Sequence, residues 1–389
     1  MELYDVIIIG AGPAGGSTAL HCAKAGLKVL VFEEHEKIGE PVHCGECLSE
    51  YACENIGLAL PKEVISKKVN GIRVIFPNGK TSIVPEKGVV LEKDKFEKWL
   101  INEAKNKGAK LMLGTRATEF KKIDKQWKIK TNKGEFNAKI LIDASGVTSI
   151  VSSKLELNKR FDSVIGIQHE MQKIENEDYL DFYINPKLAR KGYLWMIPKS
   201  NGRANVGLVT HEKNKAKESL EKFLIEKKWK SKPLVKTFGG LIPISGPLEK
   251  TFDEGLLLVG DAAGFTSPMF EGGTHLSLKS GQIASEIILK AIKKNDFSKE
   301  VFKEYETKWK NTFPEYKKIL KGKNAFYSFS EEEINFIANQ LPESFENFNI
   351  FKKILFGLKI VIGNPKLLKK DFILAMKALD YSNTKYYGW

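Results

Sequence analysis

"YDVIIIGAGPAGGSTALHCAKAGLKVLVFEE", residues 4–34, decides the fold. Residues 4–9 form a short apolar run that stops at a glycine, the pattern of a strand buried on both faces of a parallel sheet. The turn Gly10-Ala11-Gly12-Pro13-Ala14-Gly15 opens a helical stretch, and "LKVLVFEE" supplies a second strand that closes at Glu33. Each glycine has a physical task. Gly10 permits the tight turn, Gly12 lets backbone approach a pyrophosphate, and Gly15 lets the helix pack close on the strand. The helix N-terminus offers N–H groups and partial positive charge to phosphates. Glu33 lies 23 residues after Gly10, where a carboxylate accepts hydrogen bonds from a ribose diol and repels a 2′-phosphate. The segment points to FAD or NAD and away from NADP, with Gly10, Gly12, Ala14, Gly15 and Glu33 as cofactor residues.

A second glycine-rich segment selects between those cofactors. In "GLLLVGDAAGFTSPMFEGGTHLSLKSGQIASEIIL", residues 255–289, a buried strand over 256–259 ends at Gly260-Asp261, and a long helix is expected from about Gly272-Gly273. An NAD domain has no use for this element, whereas a flavoprotein does. Asp261 at the strand end can hold ribityl hydroxyls. The N–H groups around Gly273 and Thr274 can face the flavin pyrimidine edge, where negative charge accumulates on reduction. Between the two segments, "AKILIDASGVTSIVSS", residues 138–153, delivers Asp143-Ala144-Ser145-Gly146 to another turn.

Together the three segments resemble the flavin-dependent hydroxylase superfamily, which also contains halogenases and geranylgeranyl reductases. The likeness spans nearly the whole chain. Superfamily members usually carry Ala-Asp-Gly at the middle motif, and Ala144-Ser145-Gly146 looks like the reductase branch. The resemblance implies bound FAD and an α/β (α+β) fold in three parts. A Rossmann-like FAD-binding domain is expected from the discontinuous segments 1–65, 90–160 and 238–300. A mixed or antiparallel sheet from 66–89 and 161–237 should roof the flavin and form the substrate cavity. A helical region should follow over 301–389. The resemblance also implies cofactor contacts from Ala117 and from Lys93, where relatives usually have arginine. Lysine keeps that charge and loses the bidentate fork.

The reaction is read from "KGYLWMIPKSNGRANVGLV", residues 191–209. It resembles the geranylgeranyl reductase pattern Tyr-x-Trp-x-Phe-Pro through Tyr193, Trp195 and Pro198, with Ile197 in place of phenylalanine. Halogenases carry Trp-x-Trp-x-Ile-Pro, so the motif lies between two families. A strand with Tyr193, Trp195 and Ile197 alternating onto one face can line an apolar cavity. "GGLIPISGP" (239–247) and "GEPVHCGECLS" (39–49) look like the archaeal digeranylgeranylglycerophospholipid reductases. That resemblance implies reduction of isolated double bonds in the geranylgeranyl chains of a membrane lipid precursor. The chain carries no second dinucleotide fingerprint, so the electron donor is external, NAD(P)H or ferredoxin. Two other readings stay open: a flavin-dependent monooxygenase or halogenase, and an electron-transferring flavoprotein acting on a quinone.

The stretch "HCGEC" also raises metal and disulfide chemistry. Cys44 and Cys47 form a C-x-x-C, with His43 and Cys53 nearby, but the paired knuckle spacing of structural zinc sites is missing and no metal is expected. Family members typically show Cys-Gly-Glu-Gly here. Cys44 and Gly45 match and are assigned to the cofactor pocket with Cys47 beside them, a companion thiol able to oxidise with Cys44. Cys44, Tyr193 and Trp195 are the catalytic candidates, Cys44 as a proton donor or a contact near the alkene.

Composition adds the setting. Four cysteines are too few for a disulfide scaffold in 389 residues. The first residues run straight into the strand pattern without a basic n-region, so a signal peptide is not expected. No apolar run reaches about 18 residues, so neither is a spanning helix. A cytoplasmic protein with reduced thiols follows as the expectation. The formal charge of +14 attracts anions, yet no nucleic-acid motif accompanies it. Residues 349–389 hold eight lysines and two aspartates. Within them "FKKILFGLKIVIG" alternates apolar residues and lysine at helical spacing. Such a helix either packs on the FAD domain or lies peripherally on the anionic inner face of the cell membrane.

Overall fold

The computed structural model describes residues 2–42 and 44–381. Two sheets organise them. The first contains β1 (Leu3–Ile9), β2 (Val29–Phe32), β6 (Lys110–Met112), β7 (Ala117–Ile123), β8 (Gln126–Thr131), β9 (Gly134–Asp143), β15 (Phe252–Asp253) and β16 (Leu256–Leu258). Its spine runs β15-β16-β9-β1-β2-β6, parallel except at the β15 edge. Register places Ile9 level with Phe32 on one side and Asp143 on the other, and Leu258 level with Asp143. The carboxyl ends of β1, β2, β9 and β16 therefore finish together, and the turns that follow them open onto one edge, where such sheets bind ligands. The apolar runs Val6–Ile9 of β1 and Ile140–Ile142 of β9 are buried throughout, as parallel strands covered by helices on both faces must be.

Helices α1 (Pro13–Lys24), α3 (Lys93–Asn106) and α6 (Thr274–Lys294) cover this sheet, and α7 (Lys299–Thr312) packs along α6 and the β15 edge. Short helices α2 (Glu50–Ile56) and α4 (Ile150–Lys154) complete this part.

The second sheet runs β14 (Leu234–Pro243), β10 (Ser163–Met171), β13 (Ala204–Thr210), β12 (Tyr193–Pro198), β11 (Leu180–Tyr183), β4 (Ile65–Ile75), β5 (Thr81–Leu91), β3 (Cys47–Ser49), with α5 (Ala216–Glu226) against it. Its pairings are antiparallel except β11 with β4. The segment boundaries read from sequence shift here. Position 238 falls inside β14, whose whole length pairs with β10, and Cys47–Ser49 adds an edge strand to this sheet.

The C-terminal helices α8 (Tyr316–Phe326), α9 (Glu331–Gln340), α10 (Ile350–Gly363) and α11 (Phe372–Tyr381) share a core of Phe329, Ile337, Phe356, Ile360 and Phe372, which also meets Phe76 and Ile184 of the second sheet. No helix among the described residues is long and apolar enough to cross a membrane.

Candidate functional site

The turns after β1, β9 and β16 meet the loop before β3 around a cavity of about 830 Å³, within the range of cofactor pockets. Gly10 sits at φ +103°, and a Cβ there would lie 2.4 Å from the Ala144 carbonyl oxygen. This contact locks the first turn to the middle motif. A Cβ on Gly15 would lie 1.9 Å from the Gly10 oxygen, so only glycine lets α1 rest on the turn. A Cβ on Gly12, by contrast, meets nothing within 4 Å and would project into the open space of the cavity. The cradle suits a pyrophosphate: α1 begins at Gly12 without a side-chain cap, and its N–H groups are left to a ligand.

Ala14, Glu33 and Ala117 line the same cavity. Glu33 accepts the Ala11 N–H at 2.9 Å and lies 2.6 Å from His35 Nδ1, which fixes the orientation of the carboxylate on the cavity wall. At the far end stand Asp261, Gly273 and Thr274. Asp261 accepts the Thr266 hydroxyl at 2.7 Å, and α6 starts at Gly273, again without a side-chain cap. Lys93 is buried and donates to Thr274 Oγ1 at 3.1 Å. Burial pulls its pKa down, but Cys44, Glu97, Glu46 and Asp261 around it outweigh that and hold it above the ordinary value. Two uncapped helix N-termini, an acid at the end of β2 and a buried cation on one cavity fit FAD. Of the residues expected from sequence to hold the cofactor, all but Gly15 and Cys47 line this cavity; Gly15 lies beneath the turn, against the Gly10 oxygen.

Cys47 was expected in the pocket and lies elsewhere. It is absent from the cavity wall; its thiol donates to the Gly45 carbonyl at 3.4 Å and packs with Tyr193 and Val90. Burial raises its pKa well above the ordinary range, so the thiol stays protonated. Cys44 does line the cavity; its Sγ accepts the Glu46 N–H at 3.2 Å and lies 3.7 Å from Thr274 Oγ1. All four cysteines are free thiols. His43 lies outside the described residues, and among the described residues no cluster is placed to hold a metal ion.

The roof reaches this wall through one relay. Trp195 Nε1 donates to Gln168 Oε1 at 3.0 Å, and Gln168 Nε2 donates to the Cys44 carbonyl at 2.8 Å. Trp195, Gln168 and Cys44 enclose a second, smaller apolar pocket with Gly166 and Gly239. Tyr193 is buried behind Trp195, its hydroxyl donating to the Phe270 carbonyl at 2.6 Å, and it does not line the large cavity.

Sequence reasoning passed over Glu46, although it matches the glutamate of Cys-Gly-Glu-Gly. It is 2% exposed, accepts the Lys93 N–H at 2.9 Å and pairs with Lys199 at 2.7 Å. Lys199 also meets Glu92 at 3.0 Å, and Arg203 bridges Glu92 and Glu170. The ion network ties the cavity loop to β12, β13 and β10 of the roof. Gln168, Lys199 and Glu271 were also missed, because their partners are distant in sequence.

The fold and the site define an FAD-dependent oxidoreductase. Residues 5–153 match the family model described as FAD dependent oxidoreductase, and residues 162–242 match the geranylgeranyl reductase catalytic domain. The chain belongs to the digeranylgeranylglycerophospholipid reductase family. It is 35% identical to the enzyme of that name from Methanocaldococcus jannaschii, across 96% of this chain and 99% of that one. The Methanococcus vannielii enzyme is 33% identical, across 95% and 97%. Among solved structures, a geranylgeranyl bacteriochlorophyll reductase-like protein from Thermoplasma acidophilum superposes with TM-score 0.86 at 29% identity, covering 96% of this chain and all of that one. The flavin-dependent brominase Bmp2 shares the fold, with TM-score 0.73 at 20% identity over 92% of this chain and 94% of that one.

Proposed function

We propose that this chain uses FAD to reduce isolated double bonds in the geranylgeranyl chains of membrane lipid precursors, with an external donor, NAD(P)H or ferredoxin, reloading the cofactor. The observation that carries this reading is the Trp195–Gln168–Cys44 relay, which joins the reductase-type roof motif to the flavin end of the cavity. FAD supplies hydride chemistry when bound; Gly12 and the start of α1 would hold its pyrophosphate, Glu33 its ribose, and Asp261 with Gly273 its flavin end. Lys93 and the α6 N-terminus place positive potential where reduction adds negative charge. Trp195, Phe238, Ile242 and the glycines of β10 and β14 would give a largely apolar wall that excludes water from the alkene. Cys44 lines both pockets, and there it would contact the reacting end of the substrate.

The α10 helix suits peripheral binding to an anionic membrane. Phe356 and Ile360 on one face are buried in the C-terminal core. Phe351, Ile354, Leu355, Leu358 and Ile362 form a single stripe on the opposite face, and all five are exposed. Lys352 and Lys359 flank the stripe, and each lysine near an anionic surface contributes about 1 kcal/mol. A helix with one face in the protein and a second apolar face bare is adapted to an apolar partner, and the lipid substrate comes from one.

The reaction is tested by incubating dithionite-reduced protein with digeranylgeranylglycerophospholipid and weighing the lipid by mass spectrometry. A gain of two hydrogens per reacted double bond is expected. Unchanged lipid mass with a fully reduced flavin would refute the reading.

A further inference from the structure

We propose that Glu271 is the acid that completes the reduction, delivering its proton to the alkene carbon that does not receive hydride. The inference rests on the reductase reading. Glu271 lines the cofactor cavity two residues before Gly273, yet its side chain is 4% exposed; among the described residues its Oε2 makes no hydrogen bond, and the Tyr193 hydroxyl stands close to the carboxyl. Its backbone sits at φ +54°, a left-handed conformation that disfavours any residue with a Cβ. The loop holds it there: the Ser267 hydroxyl accepts the N–H groups of Met269 and Phe270, and Ser267 N–H donates to the Gly272 carbonyl at 2.8 Å. A strained, buried carboxyl with an unused oxygen beside a reaction chamber is a functional arrangement.

Its surroundings suit proton delivery. Lys323 of α8, itself 4% exposed, lies 3.2 Å from Glu271 Oε1. The hydroxyls of Tyr193 and Tyr327 are the other titratable groups packed around it. Burial raises the Glu271 pKa to about 7, and Lys323 and Tyr193 pull against that rise. The group therefore carries a proton near neutrality, and Lys323 stabilises the carboxylate left behind. Tyr193, Tyr327 and Cys47 are poorer donors, since burial drives their pKa values well upward.

The step balances. The C=C π bond breaks, and one new C–H bond takes the hydride pair carried by the reduced cofactor, which ends oxidised by two electrons. The second C–H bond takes the proton from the Glu271 O–H, whose electrons stay on the carboxylate paired with Lys323. Solvent reprotonates it before the next turnover.

The test compares wild type with Glu271→Gln. Anaerobic reoxidation of the reduced flavin by the lipid should slow by about 100-fold or more, while FAD content and reduction by dithionite are retained; the melting temperature should fall because buried Lys323 loses its partner, so rates are compared below both unfolding transitions. Glu271→Asp, which keeps the acid, should recover part of the rate. Infrared spectroscopy of the FAD-free protein should show a protonated carboxyl band that titrates near neutral pH and vanishes in Glu271→Gln. A variant that keeps its rate within about threefold of wild type, or a band that survives the substitution, overturns the proposal. An inert wild type would instead refute the reductase reading together with the step built on it.

Discussion

Replacing Lys199 with methionine removes the ammonium that neutralises Glu46 at 2.7 Å and Glu92 at 3.0 Å. The Lys199 and Glu46 side chains are 2% and 3% exposed, so water does little to screen the pair. Burial alone lowers the Lys199 pKa, but Glu46, Glu92 and Glu170 outweigh it and the group stays charged. Breaking one side of such a buried pair typically costs about 3–5 kcal/mol, because the other charge is left stranded. Here Glu46 keeps the Lys93 N–H and the Asn205 amide, and Glu92 keeps Arg203. The lower end, about 3 kcal/mol, is therefore expected. Adding Glu46→Gln removes the stranded charge and should restore about 1–3 kcal/mol of that loss. Urea titration of the FAD-loaded protein, followed by tryptophan fluorescence and by FAD release, checks both numbers. The two midpoints should move together, since Glu46 adjoins Gly45 on the cavity wall and its carbonyl accepts the Leu91 N–H at 2.7 Å. A loss below about 0.5 kcal/mol for Lys199→Met, or strict additivity with Glu46→Gln, would refute the reasoning.

Further outcomes follow from individual positions. Gly10→Ala places a Cβ 2.4 Å from the Ala144 oxygen at φ +103°, so the purified variant should lack the flavin absorbance of wild type; a yellow variant would contradict the turn geometry. Ile362 is 79% exposed on α10; burying that side chain is worth about 1–2 kcal/mol, so Ile362→Glu should weaken co-sedimentation with anionic vesicles by roughly tenfold. Thermal stability should not change, and equal vesicle binding by both proteins would remove α10 from the membrane. Glu271 sets a pH dependence. Its folded pKa is raised from 4.5 to about 7, so between those values the folded state holds a proton that the unfolded chain has released. Stability therefore falls as pH rises through that window, and urea midpoints of Glu271→Gln should lack this component.

The first turn was legible in sequence because its determinants are local. Gly10, Gly12, Gly15 and Glu33 lie within one βαβ unit; Gly10, Gly12 and Glu33 line the cavity, and Gly15 packs beneath the turn. Asp261, Gly273 and Thr274 were legible for the same reason, as one strand end and one helix start. Cys47 was misplaced by its neighbour: adjacent to pocket residues in sequence, it begins β3, and a strand sends alternate side chains to opposite faces. The Glu46 network was invisible because Glu92, Lys199 and Arg203 reach it only once β3, β5, β12 and β13 have assembled into the second sheet. Glu271 met Lys323 only through the docking of α8. The α10 stripe was half legible. Periodicity announced an amphipathic helix, but which of its two apolar faces would be covered depended on Phe329, from the α8–α9 connection, and Phe372 of α11.

The central claim is that electrons pass from the reduced flavin to a carbon–carbon double bond. The direct measurement is an anaerobic stopped-flow trace of the dithionite-reduced protein mixed with digeranylgeranylglycerophospholipid, with the lipid weighed at the end. The expected result is return of the oxidised flavin spectrum, with one double bond saturated for each flavin oxidised. A flavin that stays reduced against the lipid, yet reoxidises through a hydroperoxide when oxygen is admitted, would contradict it and favour an oxygen-activating enzyme.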